Sequence, residues 1–402
     1  MGTALYGFIK RLFESIAFIP ALIAFVFGLI PFLLIAFPLP DLGGTAFSVL
    51  SITDTESIRV ILSFVIGGIF TLTIFSYTMV MSVLNRSINN YSPRLIPLLL
   101  SERHHQIILG VTSGTIIYVL ILAVISASDA NFNFPKMGAT LAIFFTMVCV
   151  LLFIYFVHSV SQTIHINYIL KRSYLNTKKN INKLVEREQN LFQAEGEKPH
   201  FQQTLKNFGC GYLNGFRMKR LACLAEKYDL TIQILASRGD FVYDDESYLA
   251  LSRKVDESLK KKIEGCFNID HDEPLEVTEI GFKHLVEVAI KGSSPSINDP
   301  GTSVSCIDYL TQLFGHYLLV EKFNAYQLNG TLRIYIKHTD IDVLFKYCFA
   351  EMYRYMKDDP VLIVRLKRSI EKIEGFDTKN RLKKEIINLK KTTNLYPKIS
   401  NF

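Results

Sequence analysis

Residues 60–84 read VILSFVIGGIFTLTIFSYTMVMSVL, a run without a single Asp, Glu, Lys or Arg. A helix needs about 20 apolar residues to cross the hydrocarbon core of a bilayer. Three more stretches meet that length, 13–37, 107–126 and 139–157, and Glu14 is the one charged residue in any of them. Lipid offers the backbone no hydrogen-bond partner, so each stretch is expected to be helical. The first is too long for a signal peptide, is interrupted by Pro20 and Pro31, and has no A-x-A cleavage site; it reads as a retained membrane helix.

Charge sets the topology. Lys10 and Arg11 precede the first span, and Arg86, Arg94 and Arg103 follow the second. Lys171, Arg172, Lys178, Lys179 and Lys183 follow the fourth with no acid among them. The other two loops carry Asp41, Asp54 and Glu56 against Arg59, and Asp129 against Lys136. The positive-inside rule then puts both termini in the cytoplasm of an inner-membrane, multi-pass protein. Of the 402 residues, those after 160 hold 37 basic and 31 acidic side chains. That mild excess is too weak to argue for nucleic acid and suits a domain near anionic headgroups. The six cysteines, at 149, 210, 223, 266, 306 and 348, form no C-x-x-C and have no His at ligand spacing. They read as reduced thiols, mostly buried, in a reducing compartment.

The expected fold class is therefore a membrane all-α four-helix transmembrane domain (1–165) plus a cytosolic α+β domain (209–375). A helical connector (166–208) joins them and a basic, frayed C-terminal tail (376–402) ends the chain. Ser92 capping Pro93 suggests either a short amphipathic helix over 91–100 or a plain connector. A polar helix is expected to run to about 195–199, with a break at 209–215 and a helix over 217–228. Residues 229–236 alternate like a strand, Ser237-Arg238-Gly239-Asp240 reads as a hairpin corner, and 241–243 as the partner strand. Helices follow over 279–291 and 302–319. The Asn329-Gly330 turn leads into a strand over 331–337, and helices cover 340–356 and 359–373.

Several constellations could carry function. At 100° per residue, Gly67, Thr71, Thr78, Ser82 and Asn85 fall on one face of the second span, with Phe64 and Phe75 beside it. Such a face either lines a path for ions or bonds a neighbouring helix. Gly110 and Gly114 form a small-xxx-small pair suited to close helix packing. His158, Ser161, Gln162, His165 and Arg172 share one face at the inner end of the fourth span. The two histidines are two turns apart, so one metal ion cannot take both within a helix, though a ring of His158 across an oligomer axis could bind a cation or sense pH. A plain interfacial polar face is the other reading. The corner at Ser294, Pro295, Asn298, Asp299, Pro300 and Thr302 has Asp299 placed to cap a helix with Pro300 at its first position. It is either a structural corner or a ligand site, and Asp299 works against an anion there. No phosphate loop, nucleophile elbow, zinc-protease motif or cofactor fingerprint occurs, so enzyme chemistry is not expected.

Some of these segments resemble a family. Tyr91-Ser92-Pro93-Arg94-Leu95, Gly239-Asp240-Phe241-Val242, Leu285-Val286-Glu287-Val288-Ala289 and Ser294-Pro295-Ser296-Ile297-Asn298-Asp299-Pro300 are similar to an uncharacterised group of bacterial predicted membrane proteins, domain of unknown function two-two-five-four. Asp359-Pro360-Val361 and Leu366 look like its closing helix. The chain departs from the group at 268–277, which lacks the usual Arg and Gln, and at Gly301-Thr302-Ser303, where the group has Phe-Thr-Ala. The resemblance implies a fold and an inner-membrane location and supplies no function. The sequence alone leads to a homo-oligomeric channel or transport-like protein with a regulatory cytosolic domain. The alternative is a membrane-anchored sensor or scaffold. Expected partners are membrane lipid, further copies of the chain, and an inorganic ion or small ligand.

Overall fold

The computed structural model describes residues 17–37, 55–90, 103–127, 136–163, 166–186, 190–196, 199–206, 210–271, 273–274 and 277–392. The chain divides into two compact units, Met1–His165 and Ile166–Phe402. The expected amphipathic piece over 91–100 lies outside the described residues.

Among its described residues the first unit holds four helices: α1 (Phe18–Ala36), α2 (Thr55–Asn90), α3 (Arg103–Ala127) and α4 (Lys136–Thr163). Each contains a stretch long and apolar enough to cross a membrane. Helices in lipid gain little from hiding apolar surface, so close contact and hydrogen bonds must hold them together. Gly110 and Gly114 supply the contact. A Cβ at Gly110 would sit 2.8 Å from Ile23 Cδ1 and 3.1 Å from Pro20 Cα. At Gly114 it would sit 2.9 Å from Phe27 Cγ and 3.3 Å from Ala24 Cα. The small-xxx-small pair thus lets α1 lie against α3 almost backbone to backbone. Ile58 and Leu62 of α2, Tyr118 and Leu122 of α3, and Ala139 and Ala142 of α4 form the buried seam beside it. Tyr118 OH donates to Gly138 O at 2.8 Å. Arg59 Nε donates to Ser126 O at 2.9 Å, placing a cation on the carbonyl end of α3 as the helix dipole favours.

The second unit mixes helix and strand. It begins with α5 (Ile166–Glu186), β1 (Leu191–Phe192), β2 (Gln203–Lys206), β3 (Gly211–Phe216), α6 (Met218–Lys227) and β4 (Ile232–Ile234). Next come β5 (Phe241–Val242), β6 (Ser247–Leu251), α7 (Glu257–Glu264) and β7 (Phe267–Asp270). The rest is α8 (Thr278–Ser293), α9 (Pro300–Tyr317), β8 (Ala325–Leu328), β9 (Thr331–Tyr335), α10 (Ile341–Met356), α11 (Pro360–Phe376) and α12 (Lys383–Thr392). One sheet has six strands in the order β1-β8-β9-β4-β6-β2, antiparallel except for the β4–β9 pair. A second runs β5-β3-β7. Leu213, Leu221, Leu230, Ile232, Ile234, Leu249 and Ile263 form the core among the strands, α6 and α7. Among the later helices, Phe282, Phe314, Phe345 and Phe349 pack edge to face or tilted, with centroids 4.6 to 5.8 Å apart.

Four expectations are corrected here. The 237–240 turn is not a hairpin corner, because β4 pairs with β6 and β9 while β5 pairs with β3. Gly239, at φ +88°, donates its N–H to Leu213 O, and Leu213 N–H donates to Asp240 O. The turn is tied to β3 and so hands the chain to the other sheet. Of the break expected over 209–215, residue 209 lies outside the described residues and 211–215 are not a break, since β3 occupies 211–216 with its two glycines inside the strand. The 166–208 region is not only a helical connector: it contributes β1 and β2 to the large sheet and belongs wholly to the second unit. The tail is not frayed through 392, because α12 buries Ile386 and Leu389, with Leu382 just before it. A Lys-rich composition hid that apolar spacing of three and four.

Gly281 of α8 faces Thr177 of α5. A Cβ there would overlap Thr177 Oγ1 and lie 2.8 Å from its Cγ2. Overpacking of this kind costs about 1–3 kcal/mol. Gly281→Ala is therefore expected to lower the thermal midpoint of the detergent-solubilised protein, and Thr177→Ala in the same chain to recover part of the loss, because the Cβ it retains would still lie 2.9 Å away. An unchanged midpoint in the single variant would contradict the close approach.

Candidate functional site

On α2 the hydroxyl residues divide between two sides. Thr73 and Ser76 are buried against the other helices at 8% and 4% exposure. Ser76 Oγ donates to Leu72 O, whereas Thr73 Oγ1 has no partner among the described residues. The sequence-selected residues Thr71, Thr78, Ser82 and Asn85 are all exposed, on the side away from the bundle. Thr71 donates to Gly67 O and Thr78 to Ile74 O, each at 2.8 Å. Gly67 and Gly68 lie on the same outward side, and a Cβ at either would meet nothing within 4 Å among the described residues. Phe64 and Phe75 are exposed beside them at 77% and 56%. The seam the bundle does bury is lined mainly by aliphatic and aromatic side chains. Any polar route along Thr71, Thr78 and Ser82 therefore runs on the outside of a single four-helix unit.

At the end of α4, His158 is exposed and Ser161 is exposed. The side chain of Gln162 and all of His165 lie outside the described residues, and Arg172 stands on α5 in the second unit. The group that the structure does assemble was not selected from sequence. His104 Nε2 and His105 Nε2 each lie 3.1 Å from Ser159 Oγ, with the two rings edge to face at 4.5 Å. Two consecutive histidines at the head of α3 were the available signal. Their common partner is 54 residues away and leaves no mark in the local pattern.

The Ser294–Thr302 corner closes on itself. Asn298 adopts φ +47° and donates its N–H to Ser294 O. Asp299 N–H donates to Gly292 O at 2.8 Å. One Asp299 oxygen accepts from Thr302 N at 3.1 Å and the other from Thr302 Oγ1 at 2.6 Å. Ser303 Oγ donates to Ala289 O at 2.7 Å, binding the start of α9 to α8. The capping carboxylate thus fills the position an anion would take. Ser294 Oγ donates to Lys291 O, and Pro295 stands within the turn.

A polar cluster, buried at Tyr317 and half-buried at His338 and Glu279, joins α8, α9 and the segment after β9. Tyr317 OH lies 2.7 Å from His338 Nε2 and 3.4 Å from Glu279 Oε1. His338 Nδ1 lies 3.7 Å from the same carboxylate oxygen, and Phe323 stacks on the imidazole at 4.5 Å. Arg381 Nη1 donates to Val320 O at 2.6 Å, and its Nε is buried without a partner among the described residues. The space these groups leave is about 10 Å³, enough for one water. Burial, then Glu279, pushes the Tyr317 phenol up. Burial holds His338 below the ordinary histidine value, against the opposing pull of Glu279 and Asp340. Sequence reasoning missed this cluster because its members are far apart in the chain. Among the described residues, no group of three or more His, Cys, Asp or Glu is arranged to hold a metal ion. All six cysteines are free, and Cys210 and Cys223 are the exposed pair.

Four apolar helices followed by a mixed unit with a capped Asn298-Asp299-Pro300 corner define a membrane protein with a second folded unit. The model of the family described as Predicted membrane protein (DUF2254) matches residues 14–372, and the chain belongs to that family. No curated protein and no solved structure matches it.

His338 gives the second unit a pH dependence with a definite sign. Its folded-state pKa lies below its unfolded one, so below pH about 6.5 the unfolded chain takes up a proton that the folded chain resists. Stability should fall on acidification from pH 7.5 to 5. His338→Gln should flatten that slope, read as thermal midpoint against pH. A slope identical to wild type would remove His338 from the account.

Proposed function

We propose that this is a non-enzymatic inner-membrane protein whose copies assemble around an ion-conducting or transport path lined by α2, with the α/β unit as its cytoplasmic regulator. The observation that carries this reading is the outward face of α2. Gly67, Gly68, Thr71, Thr78 and Ser82 stay uncovered by the other three helices of the unit. An apolar solvent rewards no such face in a lone chain, whereas a second copy or a water-filled path does. The basic loops support cytoplasmic termini. A second reading, a membrane-anchored sensor, draws on the Tyr317–His338–Glu279 cluster, a buried titratable group at the meeting of three segments of the second unit.

Ion flux into liposomes holding the purified protein tests the first reading. Wild type should conduct, and Thr78→Leu, which removes a hydroxyl and adds bulk, should cut flux at least about tenfold with folding intact, a change of about 1.4 kcal/mol in the barrier. Absence of wild-type flux across several ions and pH values would favour the sensor. The side of the membrane is read separately. A membrane-impermeant maleimide should reach Cys210 and Cys223, both exposed, in inside-out vesicles and not in intact spheroplasts. The reverse pattern would overturn the orientation.

A further inference from the structure

Helix α5 carries two unlike faces. Ile169, Leu170, Ser173, Thr177 and Ile181 are buried, at 0 to 4% exposure, toward α8 and α9. At 100° per residue, Tyr168, Lys171, Arg172, Leu175, Lys179 and Lys183 lie within about 60° of one another's mean direction, on the opposite side. Tyr168 and Leu175 are 41% and 49% exposed. This stripe therefore combines four cations with an aromatic and an aliphatic side chain. Glu186, the last residue of the helix, is its one acidic residue.

Two facts select the occupant of this face. Ile166 follows Ser161, the end of the fourth candidate span, by five positions. Five residues reach no farther than about 18 Å, so the helix starts within range of the headgroup layer. The charge is also one-signed. A second copy meeting this face through a two-fold axis would set Lys against Lys, whereas a surface of lipid phosphates is complementary. Tyr and Leu suit the boundary between headgroup and acyl chain, and Lys stems can lie along apolar surface with the ammonium in water.

We infer that the Tyr168–Lys171–Leu175–Lys179 face of α5 is a membrane-surface contact that binds anionic lipid headgroups. It rests on the membrane assignment and not on the conduction path, so a failed flux assay leaves it standing.

The test places an environment-sensitive nitrobenzoxadiazole probe at Leu175→Cys in full-length protein carrying Cys210→Ser and Cys223→Ser. The protein is held in nanodiscs of phosphatidylcholine alone or with phosphatidylglycerol. Acyl-brominated lipid should quench the probe, and more strongly when phosphatidylglycerol is present. A probe at Tyr243→Cys, where the residue is 66% exposed, should stay unquenched. Combining Lys171→Gln, Arg172→Gln, Lys179→Gln and Lys183→Gln should abolish the extra quenching due to phosphatidylglycerol. Quenching equal to the Tyr243 control overturns the proposal, as does quenching indifferent to lipid charge. A blue-shifted but unquenched probe also overturns it, because protein would then be covering the face.

Discussion

Hydrocarbon gives a backbone amide nothing to bond to, and most of the first unit follows from that. It forces each apolar stretch into a helix that satisfies its own N–H and C=O groups. It also removes the drive that would press helices together in water, leaving contact and hydrogen bonding to decide their arrangement. Gly110 and Gly114 answer the first need by admitting α1 to within van der Waals distance of the α3 backbone. Arg59 on Ser126 O and Tyr118 on Gly138 O answer the second. Arg59 sits where a cation is tolerated, near the end of its helix, and meets the partial negative charge of another helix's carbonyl end.

The second unit obeys ordinary aqueous rules and is organised by its corners. Asp299 and Asp359 each cap a helix whose first residue is proline, so Pro300 and Pro360 start α9 and α11 without losing a useful N–H. The Ser303 to Ala289 bond then fixes α9 against α8, and Phe282 and Phe314 meet just beyond it. At Gly281 the same helix α8 also receives α5, and on the opposite side of α5 Lys171, Leu175 and Lys179 are exposed. The corner at 294–302 is thus a hinge of the architecture whose polar atoms are largely consumed by its own turns.

How much of this the chain displayed in advance depended on range. The spans, the 329–330 turn with both residues at positive φ, and the Asp-Pro helix starts are local patterns and could be read directly. Strand partners could not. The alternation at 229–236 identifies a strand, yet its partners in β6 and β9 come from positions 15 to 19 and 102 residues on. The site residues split the same way. Periodicity put Thr71, Thr78 and Ser82 on one face, while their exposure is fixed by α3 and α4. Tyr317, His338 and Glu279 meet only because three segments fold together, so no spacing announces them.

The outward face of α2 still demands an energetic reason. Its threonines are weak witnesses, because a hydroxyl bonded to the carbonyl one turn back is satisfied within its own helix and is cheap in lipid. The glycines are stronger ones. In water each interior helical glycine costs roughly 1 kcal/mol relative to alanine. At Gly110 and Gly114 the return is visible, since α1 occupies the space a side chain would need. At Gly67 and Gly68 nothing among the described residues comes near. The proposed assembly would supply a return there, either from a helix of another copy approaching as closely as α1 approaches α3, or from the width of a path that a side chain would narrow. That proposal rests on the glycines more than on the hydroxyls.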